Sequence, residues 1–469
     1  MRNLKLLGLS LACTFSLQTF AFNQGVVFHK NSLESQNPYS KKLQLRVDGS
    51  LRLMETAFFD QKLDHKNSEG QVTFKQRYFV DSQYAKDNTS PIFFIICGEW
   101  NCAGTGSYGF AEGLAKKMNA HLIALEHRYY GESLPMTSLT TENLQHLNLD
   151  AAIEDLATFQ RHMMSEKNLT GKWISFGGSY AGTLAAFYRL KHPELTAGAL
   201  ASSAPVLMKP DFFEYDAHIA KVISATSCGY KVREAINLIE DKIETAEGLA
   251  EVKALFSASE IVDKGDFLYA VADMLAAAVQ YGRHKVFCET LLSNPDLIAG
   301  YAEGGLKVLN SLGMTAIELS FQSAEKIETT PSDYFRQWMW QSCQEFGWFQ
   351  VSNTEGTTAR SSKIDLNLHA NACVRLYNTP MRADGSMNQN WYLQLLNPET
   401  SHIIFSNGAN DPWQTLSLTS EMEQKNPAFD LWLMESAAHC NDLRAISSIP
   451  SVVAAQLEMS AKIQGWLQE

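Results

Sequence analysis

Hydrophobic residues along this chain fall into short unbroken runs that alternate with longer amphipathic stretches. Residues 91–97 read Pro91-Ile92-Phe93-Phe94-Ile95-Ile96-Cys97 and are closed by Gly98, the pattern of a strand buried on both faces of a sheet. Runs at 121–126, 173–176 and 197–203 repeat that pattern, and helical periodicity occupies 111–119, 150–164 and 181–192. Strands separated by helices predict an α/β fold with a mostly parallel, doubly wound sheet. Ahead of it, residues 55–65 and 72–80 flank the turn cluster Asn67-Ser68-Glu69-Gly70, which predicts an antiparallel hairpin. Residues 22–51 are polar and mixed, an extended lead-in.

The rhythm changes after Pro210. Residues 232–254, 267–280 and 331–340 read as helices with no buried strand between them, which predicts a helical insertion or cap over 210–380. Strand-like runs return at 402–407 and 431–434, and an amphipathic helix over 452–468 closes one face.

Within this frame one stretch carries chemistry. Lys172-Trp173-Ile174-Ser175-Phe176-Gly177-Gly178-Ser179-Tyr180-Ala181-Gly182 is a strand, a sharp turn and a helix, with a hydroxyl at the tip. Gly177 and Ala181 keep bulk away, so that Ser179 projects from the sheet edge as a nucleophile. The usual pattern is Gly-x-Ser-x-Gly, and here the last glycine is displaced by one. A tight glycine turn with a solvent-facing serine is the rival reading of those residues taken alone.

A hydroxyl needs a base, and the base needs an acid to set its tautomer. Asp411, in Asn407-Gly408-Ala409-Asn410-Asp411-Pro412-Trp413, follows one late strand; His439, in Glu435-Ser436-Ala437-Ala438-His439-Cys440, follows the last. The order Ser179, Asp411, His439 is that of a nucleophile-elbow hydrolase. Backbone N–H groups for a developing oxyanion are expected at Tyr180 and in the loop after the first buried strand, at Gly98 and Glu99. Arg128, in Glu126-His127-Arg128-Tyr129-Tyr130-Gly131-Glu132-Ser133-Leu134-Pro135, is expected to bridge buried acids in a supporting role.

Composition narrows the class. Hydrophobic residues at 45% and charged ones at 19% fit a folded globular chain, and a net charge of −12 without a basic stripe argues against nucleic acid as a partner. Residues 1–21 carry Arg2 and Lys5, an apolar run over 6–17 and Thr19-Phe20-Ala21, the pattern of a secretory leader cut near Ala21, so a secreted or periplasmic protein is expected. No other run reaches the roughly 20 apolar residues of a membrane span. Of eight cysteines, Cys13 lies in the leader; the odd remainder, Cys97, Cys102, Cys228, Cys288, Cys343, Cys373 and Cys440, leaves at least one thiol unpaired within the chain. None has zinc-finger spacing, and no metal or other cofactor is expected.

Together these motifs, with Gln341-Ser342-Cys343-Gln344-Glu345-Phe346-Gly347 and Asp442-Leu443-Arg444, resemble the S28 family of serine peptidases over most of the mature chain. The resemblance implies an α/β-hydrolase domain in two parts, 22–209 and 381–469, with the helical cap of 210–380 inserted between them. It implies a serine exopeptidase cutting peptides after proline or a small residue, of carboxypeptidase or dipeptidyl peptidase type, with Ser179, Asp411 and His439 as its triad. It also implies that Trp413 and Tyr180 wall a proline pocket, and that Cys343 pairs with Cys373 and Cys228 with Cys288. Cys440 departs from a second histidine often found beside the base in that family. A homodimer is left open.

Which chain end is read is open as well, with Glu99, Asp333 and Glu345 as candidate acids for a substrate ammonium. An esterase or lipase on the same fold, or a catalytically silent hydrolase fold used for binding, are the alternative readings.

Overall fold

A computed structural model describes residues 40–45, 51–67, 72–224, 227–332, 334–419, 426 and 428–469. The expected leader, Cys13 and the candidate acid Asp333 lie outside the described residues.

The chain opens with β1 (Ser40–Leu45), β2 (Leu51–Lys62) and β3 (Thr73–Asp81), each antiparallel to its neighbour. The expected hairpin is β2 and β3, and the lead-in contributes a strand that its polar sequence did not announce. Then come β4 (Ile92–Ile96), β5 (His121–Leu125), β6 (Trp173–Gly178) and β7 (Gly198–Ser202). Helices α1 (Gly109–Met118), α2 (Leu149–Glu166) and α3 (Tyr180–Lys191) connect them. Short strands β8 (Lys209–Asp211) and β9 (Gly347–Phe349) pair apart from the main sheet, and β10 (Ile403–Gly408) and β11 (Asp430–Met434) complete it.

The nine-stranded order is β1-β2-β3-β5-β4-β6-β7-β10-β11, parallel from β5 onward. Alternation along β4 shows why the sheet is covered on both sides. Ile92, Phe94 and Ile96 join one core with α2 and α3, while Phe93 and Ile95 join another with α1 and the C-terminal helix. With a serine turn between β6 and α3, this is an α/β-hydrolase fold.

Between β8 and β10 the chain is mainly helical: α4 (Phe213–Ser224), α5 (Cys228–Lys242), α6 (Ala246–Leu255), α7 (Lys264–Gln280), α8 (His284–Ser293), α9 (Leu297–Leu312), α10 (Phe335–Gln341), α11 (Leu366–Tyr377) and α12 (Tyr392–Leu395). The single helix expected over 232–254 is two, because the Thr245 side chain accepts from Gly248 N–H and starts a new helix. Apolar periodicity runs on through buried Ile243 and hides that break. The final helix is α13 (Pro450–Gln468).

Disulfides join Cys228 to Cys288 and Cys343 to Cys373 within this helical region, and Cys97 to Cys102 across the loop after β4. Cys440 is buried and takes part in none of these disulfides. No helix among the described residues is long and apolar enough to cross a membrane.

Candidate active site

Ser179 stands between β6 and α3 with φ 59° and ψ −133°. A non-glycine residue with positive φ carries strain of about 1–3 kcal/mol, held here by its surroundings. Its N–H donates to Ser202 O at 2.9 Å, and Gly178 N–H donates to the Tyr108 hydroxyl at 3.0 Å. The glycines around it are dictated by contact. A β-carbon on Gly177 would lie 1.9 Å from Ala181 O, and one on Gly182 would lie 2.8 Å from Ser202 O. The displaced glycine is thus explained: the helix meets β7 at position 182, whereas the Ala181 methyl packs toward Gly98, which has no side chain to oppose it.

His439 and Asp411 are joined directly. His439 Nδ1 and Asp411 Oδ2 are 2.8 Å apart, and both side chains are buried. Asp411 Oδ1 accepts from Trp413 N–H at 3.0 Å, so the acid is held by its own turn. Burial opposes the imidazolium form of His439, but the Asp411 carboxylate and Cys440 outweigh it and raise its basicity well above the ordinary value. The pairing stabilises the imidazolium that a proton-accepting histidine becomes.

The serine and histidine loops meet through their neighbours. The β-carbon that Gly178 lacks would lie 3.0 Å from Cys440 Sγ, and Cys440 N–H donates to the Ser203 hydroxyl at 2.9 Å. Asp442 accepts from Ser202 and Ser406, at 2.5 Å and 2.6 Å, and ties the histidine loop to β7 and β10.

At the expected oxyanion site, Gly98 lies against the first turn of α3. Neither its N–H nor that of Tyr180 makes a backbone hydrogen bond among the described residues. Tyr180 N–H is one of the unpaired donors of a helix start, where negative charge is favoured. At Glu99 the carboxyl is buried, and burial pushes it up to about 7.

The two residues expected to wall a proline pocket also separate. The Tyr180 side chain is wholly buried, its hydroxyl accepting from Gln341 Nε2 at 2.8 Å and lying 3.1 Å from His127 Nε2, so its ring backs the site rather than facing it. Trp413 retains a small exposed edge. Between them runs a continuous aromatic series, Tyr180 to Phe346 at 5.3 Å, Phe346 to Trp348 at 4.6 Å and Trp348 to Trp413 at 6.1 Å.

Several partners escape sequence reasoning. Gln280, the last residue of α7, accepts from Trp413 Nε1 at 2.9 Å and from the Tyr215 hydroxyl at 2.7 Å, and its carbonyl accepts from His439 N–H at 2.9 Å. Tyr281 meets the His439 ring edge-on at 6.2 Å, and Tyr334 meets Trp100 at 6.0 Å. The motif over 341–347 was the one signal available, because it contributes Gln341 and Phe346.

Two charged candidates are structural. Arg128 is buried and holds Asp155 through two hydrogen bonds, at 2.6 Å and 2.7 Å. Glu345 accepts from Leu149 N–H with both oxygens, at 2.9 Å and 3.2 Å, and so caps α2; burial pushes its carboxyl up to about 8.

Comparison with known proteins identifies the family. The family described as Serine carboxypeptidase S28 matches residues 61–456. The plant protein "Probable serine protease EDA2" of Arabidopsis thaliana is 32% identical, with 84% of this chain and 82% of that protein covered. The thymus-specific serine protease of Mus musculus is 30% identical, covering 88% and 87%. The lysosomal Pro-X carboxypeptidase of Mus musculus is 28% identical, covering 89% and 90%.

Proposed function

The chain belongs to the serine carboxypeptidase S28 family and is a serine peptidase, and from that premise we propose that it is an exopeptidase cutting after proline or a small residue. Ser179 attacks the scissile carbonyl, His439 takes its proton and returns it to the leaving amine, and Asp411 holds the imidazole tautomer. Water then repeats the sequence on the acyl-enzyme. The N–H groups of Tyr180 and Gly98 receive the oxyanion.

The observation that carries this reading is the His439 to Asp411 bond at 2.8 Å on loops that pack against the strained Ser179 turn. Proline selectivity rests on the aromatic series ending at Trp413, whose flat apolar faces suit a pyrrolidine ring. The helices between β8 and β10 act as the cap: Gln280 reaches from α7 to both the acid turn and the base. Three disulfides fit an oxidising compartment reached by secretion.

The test is hydrolysis of a peptide amide carrying proline before the scissile bond, compared with a plain fatty ester, by wild type and Ser179→Ala. Proline-dependent cleavage and fluorophosphonate labelling, both lost in the variant, are the expected results. Ester hydrolysis without any peptide cleavage would favour an esterase, and failure to label would favour a binding protein.

A further inference from the structure

The loop after β4 is held unusually firmly for a surface connection. Its ends are tied by Cys97 and Cys102, Cys102 N–H donates to Glu126 at 3.0 Å, and Arg77 donates to Asn101 at 2.5 Å. Glu99 rides on this rigid loop, next to the Gly98 that touches α3.

Its side chain is 7% exposed, and Oε2 has no hydrogen-bond partner. No lysine, arginine or histidine pairs with it within 4.0 Å among the described residues, although buried carboxylates are ordinarily paired. Its charge acts on His439 and on Tyr108, Tyr130, Tyr180, Tyr281 and Tyr334, which brackets the nucleophile and the base. A buried carboxylate with no cation in hydrogen-bond reach, on the loop that touches the nucleophile's helix, is complementary to a small ammonium ion. Glu345, the rival acid, is already spent on the start of α2.

We propose that Glu99 anchors the free α-ammonium of an unblocked peptide, so that this peptidase reads substrates from the amino end. The proposal rests on the peptidase reading above and names its substrate class. Glu99 is thereby a specificity residue rather than a backbone oxyanion donor. Burial pushes its carboxyl up to about 7, so the anion that binds the amine forms in the neutral range, and a bound ammonium would favour it further.

The experiment compares Ala-Pro-coumarin amide with its N-acetyl form, using wild type and Glu99→Gln, with fluorophosphonate labelling to report an intact nucleophile. Wild type should prefer the free amine, and Glu99→Gln should narrow that preference by about 10- to 100-fold, mainly through KM, the loss expected for a charge-assisted contact. The wild-type preference should also grow between about pH 6 and 7.5 as Glu99 ionises and fall again as the substrate's α-ammonium loses its proton near about 7.7–8.0, a rise absent from the variant.

If the variant does not fold, product inhibition of the wild type decides: Ala-Pro should compete and acetyl-Ala-Pro should not. Equal cleavage of the acetylated substrate, or an unchanged preference in Glu99→Gln, overturns the anchor and leaves the peptidase intact. Cleavage of neither, with cleavage of a blocked peptide ending Pro-Phe, overturns the anchor and leaves a carboxypeptidase; cleavage of none of the three removes the peptidase reading as well.

Discussion

Two glutamates end neighbouring parallel strands at one edge of the sheet, and their surroundings are opposite. Glu126, after β5, accepts from Arg77 and Cys102 N–H on one oxygen and from Glu132 N–H and the Ser133 hydroxyl on the other. Glu99, after β4, is likewise buried, and its Oε2 has no hydrogen-bond partner. Burial raises both carboxyls, so titration does not tell them apart. The count of partners does: Glu126 is framework, whereas Glu99 has capacity that a substrate can complete.

The contrast between framework and site breaks hardest at the nucleophile. Ser179→Ala should lower kcat about a millionfold and Asp411→Asn about 10,000-fold, both measured on a proline amide, while urea unfolding moves by less than about 1 kcal/mol. On the framework side, Arg77→Met should cost about 3–5 kcal/mol in the same unfolding assay, because it leaves Glu126 buried without its cation. Glu99→Gln should not show that loss. If it unfolded as readily as Arg77→Met, the distinction between the two glutamates would collapse.

Stability against pH sharpens the comparison further. Burial holds His127 at about 4 and His369 at about 3, against about 6.5 in an unfolded chain. The unfolded chain therefore binds more protons over that span, and stability climbs as pH rises toward about 6.5. Burial likewise keeps protons on Glu99 to about 7 and on Glu345 to about 8, whereas an unfolded glutamate loses its proton near about 4.3. There the folded chain holds more protons, and stability falls as pH passes through neutrality. Melting temperature should thus peak in weak acid. A value still climbing between about pH 7 and 8.5 would contradict the buried-acid assignment. The smallest effect is expected at Trp413→Phe, which keeps a ring but loses the bond to Gln280, at about 1 kcal/mol with a raised KM for proline substrates.

How far the sequence could be read follows from the range of each interaction. Ser179, Asp411 and His439 were legible because each directly follows a buried apolar strand, and the helical insertion was legible because the period changes. Gln280 and Tyr281 were not, since a helix's pattern says which face is buried but not which distant loop it meets. The bonds from Glu345 to the start of α2 were hidden for the same reason: they depend on Leu149, far away in the chain. Tyr180 was half right, because its place beside the nucleophile is local while the burial of its ring is set by the inserted helices.

The insertion also separates the working parts in time. A chain made from its amino end exposes the Ser179 turn early, whereas Asp411 and His439 arrive only after the whole helical segment has been synthesised. Until β10 docks on β7, with Ile403 opposite Ala199, and β11 docks on β10, the proposed nucleophile lacks its proposed base, and the nascent chain should be inert. Products truncated before β11 should accordingly ignore a fluorophosphonate. The topology works as a delay, so on the proposed mechanism a half-made peptidase cannot digest the polypeptides around it.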